Sequence, residues 1–258
     1  MIPLKSAAEL EVMQENGALL AGILRRLCDD VRPGRTTAHF DRLARQLIAE
    51  CGGETAFDRL AGFPGAINAS LNEEIVHGIP SDERVLAEGD LFSIDIGMVR
   101  RGFCADMATT VGVGRISAEA QRLLEVGEKS LWEGIRNVRI GNRVSDVSHA
   151  IGSYVERSGY HVVREYVGHG IGRELHEDPQ IPNYGPPGRG PRLRAGMTLA
   201  IEPMVKTDPL PTEVRDDRWT VVTACGGLSV HFEHTVALTE QGAAVLTQGG
   251  DARRSVDE

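Results

Sequence analysis

Four acids interrupt segments that otherwise read as β-strands, where Asp and Glu are scarce. Asp95 falls opposite Phe92, Ile94 and Ile96, and Asp106 opposite Phe103, Ala105 and Met107. Glu202 falls opposite Met197, Leu199 and Ile201, and Glu233 opposite Val230 and Phe232. One such acid is ordinarily a solvated strand face. These four are paired, because Asp95 and Glu202 lie 107 residues apart and Asp106 and Glu233 each fall one strand further on. Carboxylates that converge repel one another, so protons or cations must compensate. His169, in Gly168-His169-Gly170-Ile171-Gly172, reads as an imidazole on a glycine loop. Together these five residues form an oxygen-rich set with one nitrogen. That set is too rich in carboxylates for a structural zinc site and suits Mn, Fe(II) or Co, singly or as a pair. His77 and His176 read equally well as participants or as exposed loop histidines.

Competing motifs fail on inspection. Gly112-Val113-Gly114 has Ser117 where a dinucleotide fingerprint needs its third glycine, and His176-Glu177 is followed by Gln180 rather than a second zinc-binding histidine. The chain has neither a G-x-S-x-G elbow nor a Walker A loop.

The elements that must carry these residues alternate in type. Ser6-Ala7-Ala8-Glu9 is a capping box for a helix with Leu10, Met13, Leu20, Leu24 and Leu27 on one face. Thr36 or Thr37 caps a second, with Phe40, Leu43, Ala44, Leu47 and Ile48 inward, closed by Gly52-Gly53. Leu91 to Met98 and Phe103 to Val111 predict strands joined by a turn at Arg100-Arg101-Gly102. The plan then recurs: Ser117 caps a helix, Ser145 is expected to cap the next, Gly159 closes it, and Val230 to Leu238 reads as one last strand. Gly34 and Gly141, Gly52 and Gly159, and Gly89 and Gly196 repeat the offset of 107. An internal duplication follows, with pseudo-repeats at about 6–115 and 117–246 in a single catalytic domain over 1–250. A flexible tail is expected at 251–258.

A net charge of −9 over 258 residues makes the chain a poor general binder of nucleic acid or anionic membrane. Arg189, Arg192 and Arg194 form a basic loop that either touches ribosomal RNA or is simply solvated. The N-terminus lacks a secretory apolar region, and no apolar run approaches the roughly 20 residues that span a bilayer. Cys28, Cys51, Cys104 and Cys225 show no C-x-x-C spacing, so a reducing cytoplasm is expected.

Five segments in order sharpen the reading: Asn72 to Pro80 (NEEIVHGIP), Asp95 with Asp106 eleven residues on, Gly168 to Gly172, Ile201-Glu202-Pro203-Met204 and Phe232-Glu233-His234-Thr235. Together they resemble the type I methionine aminopeptidases of the bacterial cytosolic kind, in metallopeptidase family M24, from Lys5 to about Leu246. The resemblance implies an α+β pita-bread fold, with pseudo-twofold duplicated halves and helices outside a curved antiparallel sheet. It implies two divalent ions per chain (Co, Mn, Fe(II) or Zn) on Asp95, Asp106, His169, Glu202 and Glu233, with Asp106 and Glu233 bridging. His77 and His176 would handle substrate, Glu202 would act as general acid and base, and the methionine side chain would meet Phe57, Phe63 and Trp219. Leu60, Phe63, Asn68 and Leu175 depart from the commonest bacterial pocket. The implied substrates are N-terminal peptides of newly made, deformylated proteins with a small second residue, met by a cytoplasmic monomer in transient contact with the ribosome. Rival readings are an aminopeptidase P or prolidase, and a binding protein of the same fold without metals.

Overall fold

Ser6 opens the first helix, α1 (Ala7–Asp29), through the expected reciprocal bonds: its Oγ accepts from the Glu9 N–H at 3.4 Å, and its own N–H donates to Glu9 Oε2 at 2.9 Å. Thr36 caps α2 (Thr37–Glu50) and Ser117 caps α3 (Ala118–Arg136) with the side-chain bond alone, accepting from the His39 N–H at 3.2 Å and the Ala120 N–H at 3.1 Å. Ser145 does not cap α4 (Val144–Arg157). The N-cap is Arg143, whose N–H donates to Asp146 Oδ2 at 2.7 Å, while Ser145 Oγ accepts from the Arg189 N–H at 2.6 Å. The acid three residues on satisfies the helix end and frees the serine to pin the basic loop.

The computed structural model describes residues 2–60 and 62–248, so the tail expected at 251–258 lies outside the described residues. The first half carries β1 (Glu54–Thr55), β2 (Ile67–Leu71), β3 (Glu74–Val76), β4 (Leu91–Arg100) and β5 (Phe103–Gly112). The second opens with β6 (His161–Val162), β7 (Gly168–Gly170), β8 (Glu177–Ile181) and β9 (Thr198–Ile201). It continues with β10 (Met204–Lys206), β11 (Thr212–Val214), β12 (Val221–Thr223), β13 (Ser229–His231), β14 (Glu233–Thr239) and β15 (Gly242–Val245). Nine strands form an antiparallel sheet in the order β1-β4-β5-β14-β9-β7-β8, with β2 on β4 and β15 on β14. The halves join where β5 meets β14, with Ala108 opposite Glu233 and Met107 opposite His234. Two smaller sheets, β13-β10-β6 and β11-β12-β3, flank it.

The offset of 107 recurs in three dimensions. α2 and α4 have bounds separated by it at both ends, and β4 and β9 begin at Leu91 and Thr198. Isolated bridges pair Thr36 with Val85 and Arg143 with Arg192. The matched glycines share left-handed backbone: Gly34 and Gly141 have φ of +89° and +94°, and Gly89 and Gly196 have +97° and +89°.

Each half buries its own core on the helix side of the sheet. Leu20, Leu24 and Leu27 of α1 and Phe40, Leu47 and Ile48 of α2 cover Phe92, Ile94 and Ile96 of β4. Leu123, Leu131 and Ile135 of α3 and Val147, Ile151 and Val155 of α4 cover Leu199 and Ile201 of β9. Burying each large aliphatic or aromatic side chain stabilises by about 1.5–3 kcal/mol. Alternation then turns Asp95 to the opposite, concave face.

Three further sequence expectations change. The run from Val230 to Leu238 is two strands, broken at Phe232, whose N–H bonds the Pro203 carbonyl at 3.3 Å. Glu202 lies just past β9, in the link to β10, rather than inside a strand. His169 sits in the middle of β7, not on a loop. The glycines beside it permit close packing: a Cβ at Gly170 would stand 2.1 Å from the Asp178 carbonyl oxygen, and one at Gly168 2.5 Å from that of Ala200.

Candidate metal centre and active site

Register brings the carboxylates together. Asp95 of β4 pairs directly with Asn68 of β2, and the Asn68 Nδ2 donates to Asp95 Oδ2 at 2.5 Å. Asp106 of β5 faces Gly97, which has no side chain to cover it. Its backbone is clipped by Thr235 of β14: the Asp106 N–H donates to Thr235 Oγ1 at 3.1 Å, and that hydroxyl donates to the Asp106 carbonyl at 2.7 Å. Glu233 begins β14 beside it. Asp95 Oδ1, Asp106 Oδ1 and Glu233 Oε1 are all buried without a hydrogen-bond partner. Three orphaned carboxylate oxygens in one place are costly unless a cation meets them.

His169 supplies a nitrogen. Its Nδ1 lies 2.8 Å from the Gly170 carbonyl, which can only accept, so Nδ1 bears the hydrogen and Nε2 presents a lone pair. That Nε2 lies 3.4 Å from Glu202 Oε1. Donor atoms of Asp106, His169 and Glu233 all lie within 4.8 Å of one another. Asp95 and Glu202 stand outside this tight set but line the same cavity, of about 450 Å³. Hard oxygen donors with one imidazole fit a hard or borderline divalent cation.

The electrostatics agree with that fit. Burial pushes Glu202 up to about 8. Burial, reinforced by Glu202 and opposed by His231 and Asn68, pushes Asp95 up to about 6. Asp106 and Glu233 are held well above the carboxylate range by burial and then by neighbouring acids. Burial and the nearby His176 lower His169 to about 4, the neutral form a metal ligand needs.

His77 and His176 both reach the cavity. The Asn72-to-Pro80 segment is built to hold His77. Buried Glu74 accepts from the Leu71 N–H at 2.9 Å and pairs with Arg84 and Arg215. His77 takes φ +59° and packs edge-on against Tyr166, with centroids 5.5 Å apart. Burial, then His231 and His176, lowers it to about 4. His176 sits more openly, edge-on to His169 at 4.5 Å, and burial lowers it as well.

Phe57, Leu60 and Asn68 line the cavity. Phe63 and Trp219 are not among its lining residues and stand one layer out: Phe63 meets Phe57 at 6.0 Å and Trp219 at 5.2 Å, both edge-on. Arg215 bonds Glu73 and Glu74 and so ties the β11–β12 hairpin, which carries Trp219, to the His77 segment. Leu175 packs in the same apolar cluster.

Sequence reasoning missed His231. It is buried, its Nε2 lacks a hydrogen-bond partner and lies 3.6 Å from Glu202 Oε2, and it lines the cavity. Burial lowers its pKa, and Asp95 opposes that shift. The signal was parity, since His231 stands two residues before Glu233.

Residues 11–240 match metallopeptidase family M24. The chain is 48% identical to methionine aminopeptidase 1 of Bacillus subtilis, with 96% of this chain and 100% of that one aligned. It is 47% identical to the methionine aminopeptidase of Clostridium acetobutylicum, over 96% of this chain and 99% of that one. The crystal structure of methionine aminopeptidase from Thermotoga maritima superposes with a TM-score of 0.94 at 44% identity, covering 96% and 100% of the two chains. The prolidase of Pyrococcus furiosus shares the pita-bread fold at a TM-score of 0.77 and 22% identity, covering 96% of this chain and 66% of that one. The duplicated frame, the buried acids around His169 and these alignments lead to one assignment: the chain belongs to metallopeptidase family M24, among its methionine aminopeptidases.

Proposed function

We propose that the chain hydrolytically removes the N-terminal methionine from peptides, with two divalent ions held by Asp95, Asp106, His169, Glu202 and Glu233. The observation that carries this reading is the convergence of three partnerless carboxylate oxygens with the lone pair of His169 in a cavity open to an apolar wall. Residues 1–250 would act as one catalytic unit, its pseudo-repeats at about 6–115 and 117–246 both supplying the site. Bound cobalt, manganese, iron(II) or zinc would acidify a water and polarise the scissile carbonyl.

The side chains divide the remaining work. Glu202, buried in the cavity beside His169 and His231, is placed to take and return a proton, as a general acid and base must. His176 donates to the carbonyl oxygen as negative charge develops there, and His77 hydrogen-bonds the amide beyond it. Phe57 and Leu60, backed by Phe63 and Trp219, offer an apolar slot that a flexible thioether fills well, with Asn68 at its inner edge. A tight cleft past the ions would restrict the second residue to small side chains. Such an enzyme would work as a cytoplasmic monomer on newly made, deformylated proteins, touching the ribosome transiently through exposed Arg189, Arg192 and Arg194.

The test is a peptide panel. Metal-free protein reconstituted with Mn, Co or Fe(II) is expected to cleave Met-Ala-Ser and to spare Met-Lys-Ser and Ala-Pro-Ser. Preference for Ala-Pro-Ser would overturn the reading in favour of an aminopeptidase P activity.

A further inference from the structure

His231 stands opposite Met204 in the β13–β10 pairing, two residues past Glu202. Its backbone is clipped on both sides by one side chain: the His231 N–H donates to Thr110 Oγ1 at 2.9 Å, and the Thr110 hydroxyl donates to the His231 carbonyl at 2.9 Å. Ser93 lies 2.7 Å from the same Oγ1 and, because the threonine hydrogen is committed, must be the donor there. The ring is therefore launched from a fixed base. Its side chain is 2% exposed, yet Nε2 has no hydrogen-bond partner.

Two imidazoles thus flank one carboxylate. His169 Nε2 lies 3.4 Å from Glu202 Oε1, and His231 Nε2 lies 3.6 Å from Oε2. They differ chemically. His169 has committed its hydrogen to the Gly170 carbonyl and offers a lone pair. His231 Nε2 faces an oxygen of a carboxylate that, ionised as a metal ligand, only accepts, so it is suited to carry a hydrogen. At 3.6 Å it sits just beyond hydrogen-bond reach, and a rotation of the carboxylate by a few tenths of an ångström at its oxygen would close the gap.

We propose that His231 is a positioning residue for Glu202, its Nε2–H closing onto Oε2 and fixing the carboxylate plane while Oε1 serves the cation held with His169. The proposal rests on the assignment of Glu202 as a metal ligand. A group that orients a ligand in this way typically changes metal affinity by about 10–100-fold when removed.

Calorimetric titration of Co(II) into the metal-free full chain tests it, with thermal unfolding of each metal-free variant run alongside. His231→Ala is expected to bind Co(II) about 10–100-fold more weakly than wild type. His231→Gln, whose carboxamide also donates, is expected to restore binding toward wild type and keeps the test usable if the alanine variant does not fold. The Co(II) absorption bands should shift in the alanine variant and recover with glutamine. Unchanged affinity in His231→Ala overturns the proposal, as does a loss in His231→Gln equal to that in alanine, which would assign the imidazole to the ion itself. Wild-type affinity in Glu202→Gln would instead remove Glu202 from the ligand set, a failure of the earlier reading that is separately visible.

Discussion

Asn68 and Asp95 stand opposite each other across β2 and β4, and the carboxamide of one holds a single oxygen of the other at 2.5 Å. The second oxygen of Asp95 is left buried and without a partner. Asn68 therefore decides which way the carboxylate presents itself. Asn68→Ala is expected to weaken divalent-metal affinity by about 10–100-fold. Asn68→Asp should lose more at neutral pH, because it sets a second acid against Asp95. Calorimetry on metal-free protein measures both, and wild-type affinity in the alanine variant would make the contact incidental.

His77 depends on the residue after it. A Cβ at Gly78 would stand 2.5 Å from the Ala69 carbonyl oxygen and 2.9 Å from the Ser70 Cα, both backbone atoms of β2. Gly78→Ala must push the segment off that strand and carry His77 with it. The expected result is a fall in kcat/KM on the order of 100-fold, with the circular dichroism spectrum retained. Unaltered kinetics would mean that the position of His77 is not critical.

The proposed proton transfer separates Glu202 from the other proposed ligands. As the proposed general acid and base it should lose about 100- to 10,000-fold in kcat on Glu202→Gln. The readout is Met-Ala-Ser hydrolysis at saturating metal, so that weaker metal binding does not masquerade as slower chemistry. A variant that turns over near the wild-type rate would take the proton-transfer role away from Glu202.

Stability of the metal-free protein should fall with rising pH between 6.5 and 8. Glu202 has its folded pKa raised to about 8, so its contribution is fully present below its unfolded value and is lost as pH rises through 8. His77 and His169, depressed to about 4, act in the opposite sense, but only below 6.5. Cys28 and Cys104, raised to about 11 and 12, act only above 9. In the window from 6.5 to 8 the buried acids dominate, and a drop on the order of 2 kcal/mol, a few degrees in Tm, is expected. Saturating metal should remove this dependence. A flat profile after chelation would show that the acids are not strained by burial.

Local chemistry made much of this molecule legible. Ser6, Thr36 and Ser117 cap helices because a short oxygen-bearing side chain at those positions has one low-energy task. The offset of 107 was visible because left-handed turns such as those at Gly34 and Gly141 demand glycine in both halves. Long-range partners were hidden. Ser145 lost its cap to Asp146 because Arg189, 44 residues away, claims the hydroxyl. Phe232 breaks a run that alternates well because β13 follows β10 while β14 follows β5 and β9. The glycines around His169 read as a loop, although they exist to let three strands approach closely. The four candidate acids stood out because carboxylates in apolar alternating runs are conspicuous, whereas His231 offered only its parity with Glu233.

The seam between β5 and β14 also sets a schedule. Asp106 belongs to the first half, while His169 and Glu233 belong to the second, and the cluster they form exists only when both are folded together. A ribosome making this chain releases the first of these three donors 127 residues before the last. No shorter nascent form can assemble the set, so on the proposed ligand assignment an unfinished chain would have no hydrolytic centre to turn on its neighbours. On that assignment activity would begin only after synthesis has passed Glu233, and a chain cut short between the halves would be born inert.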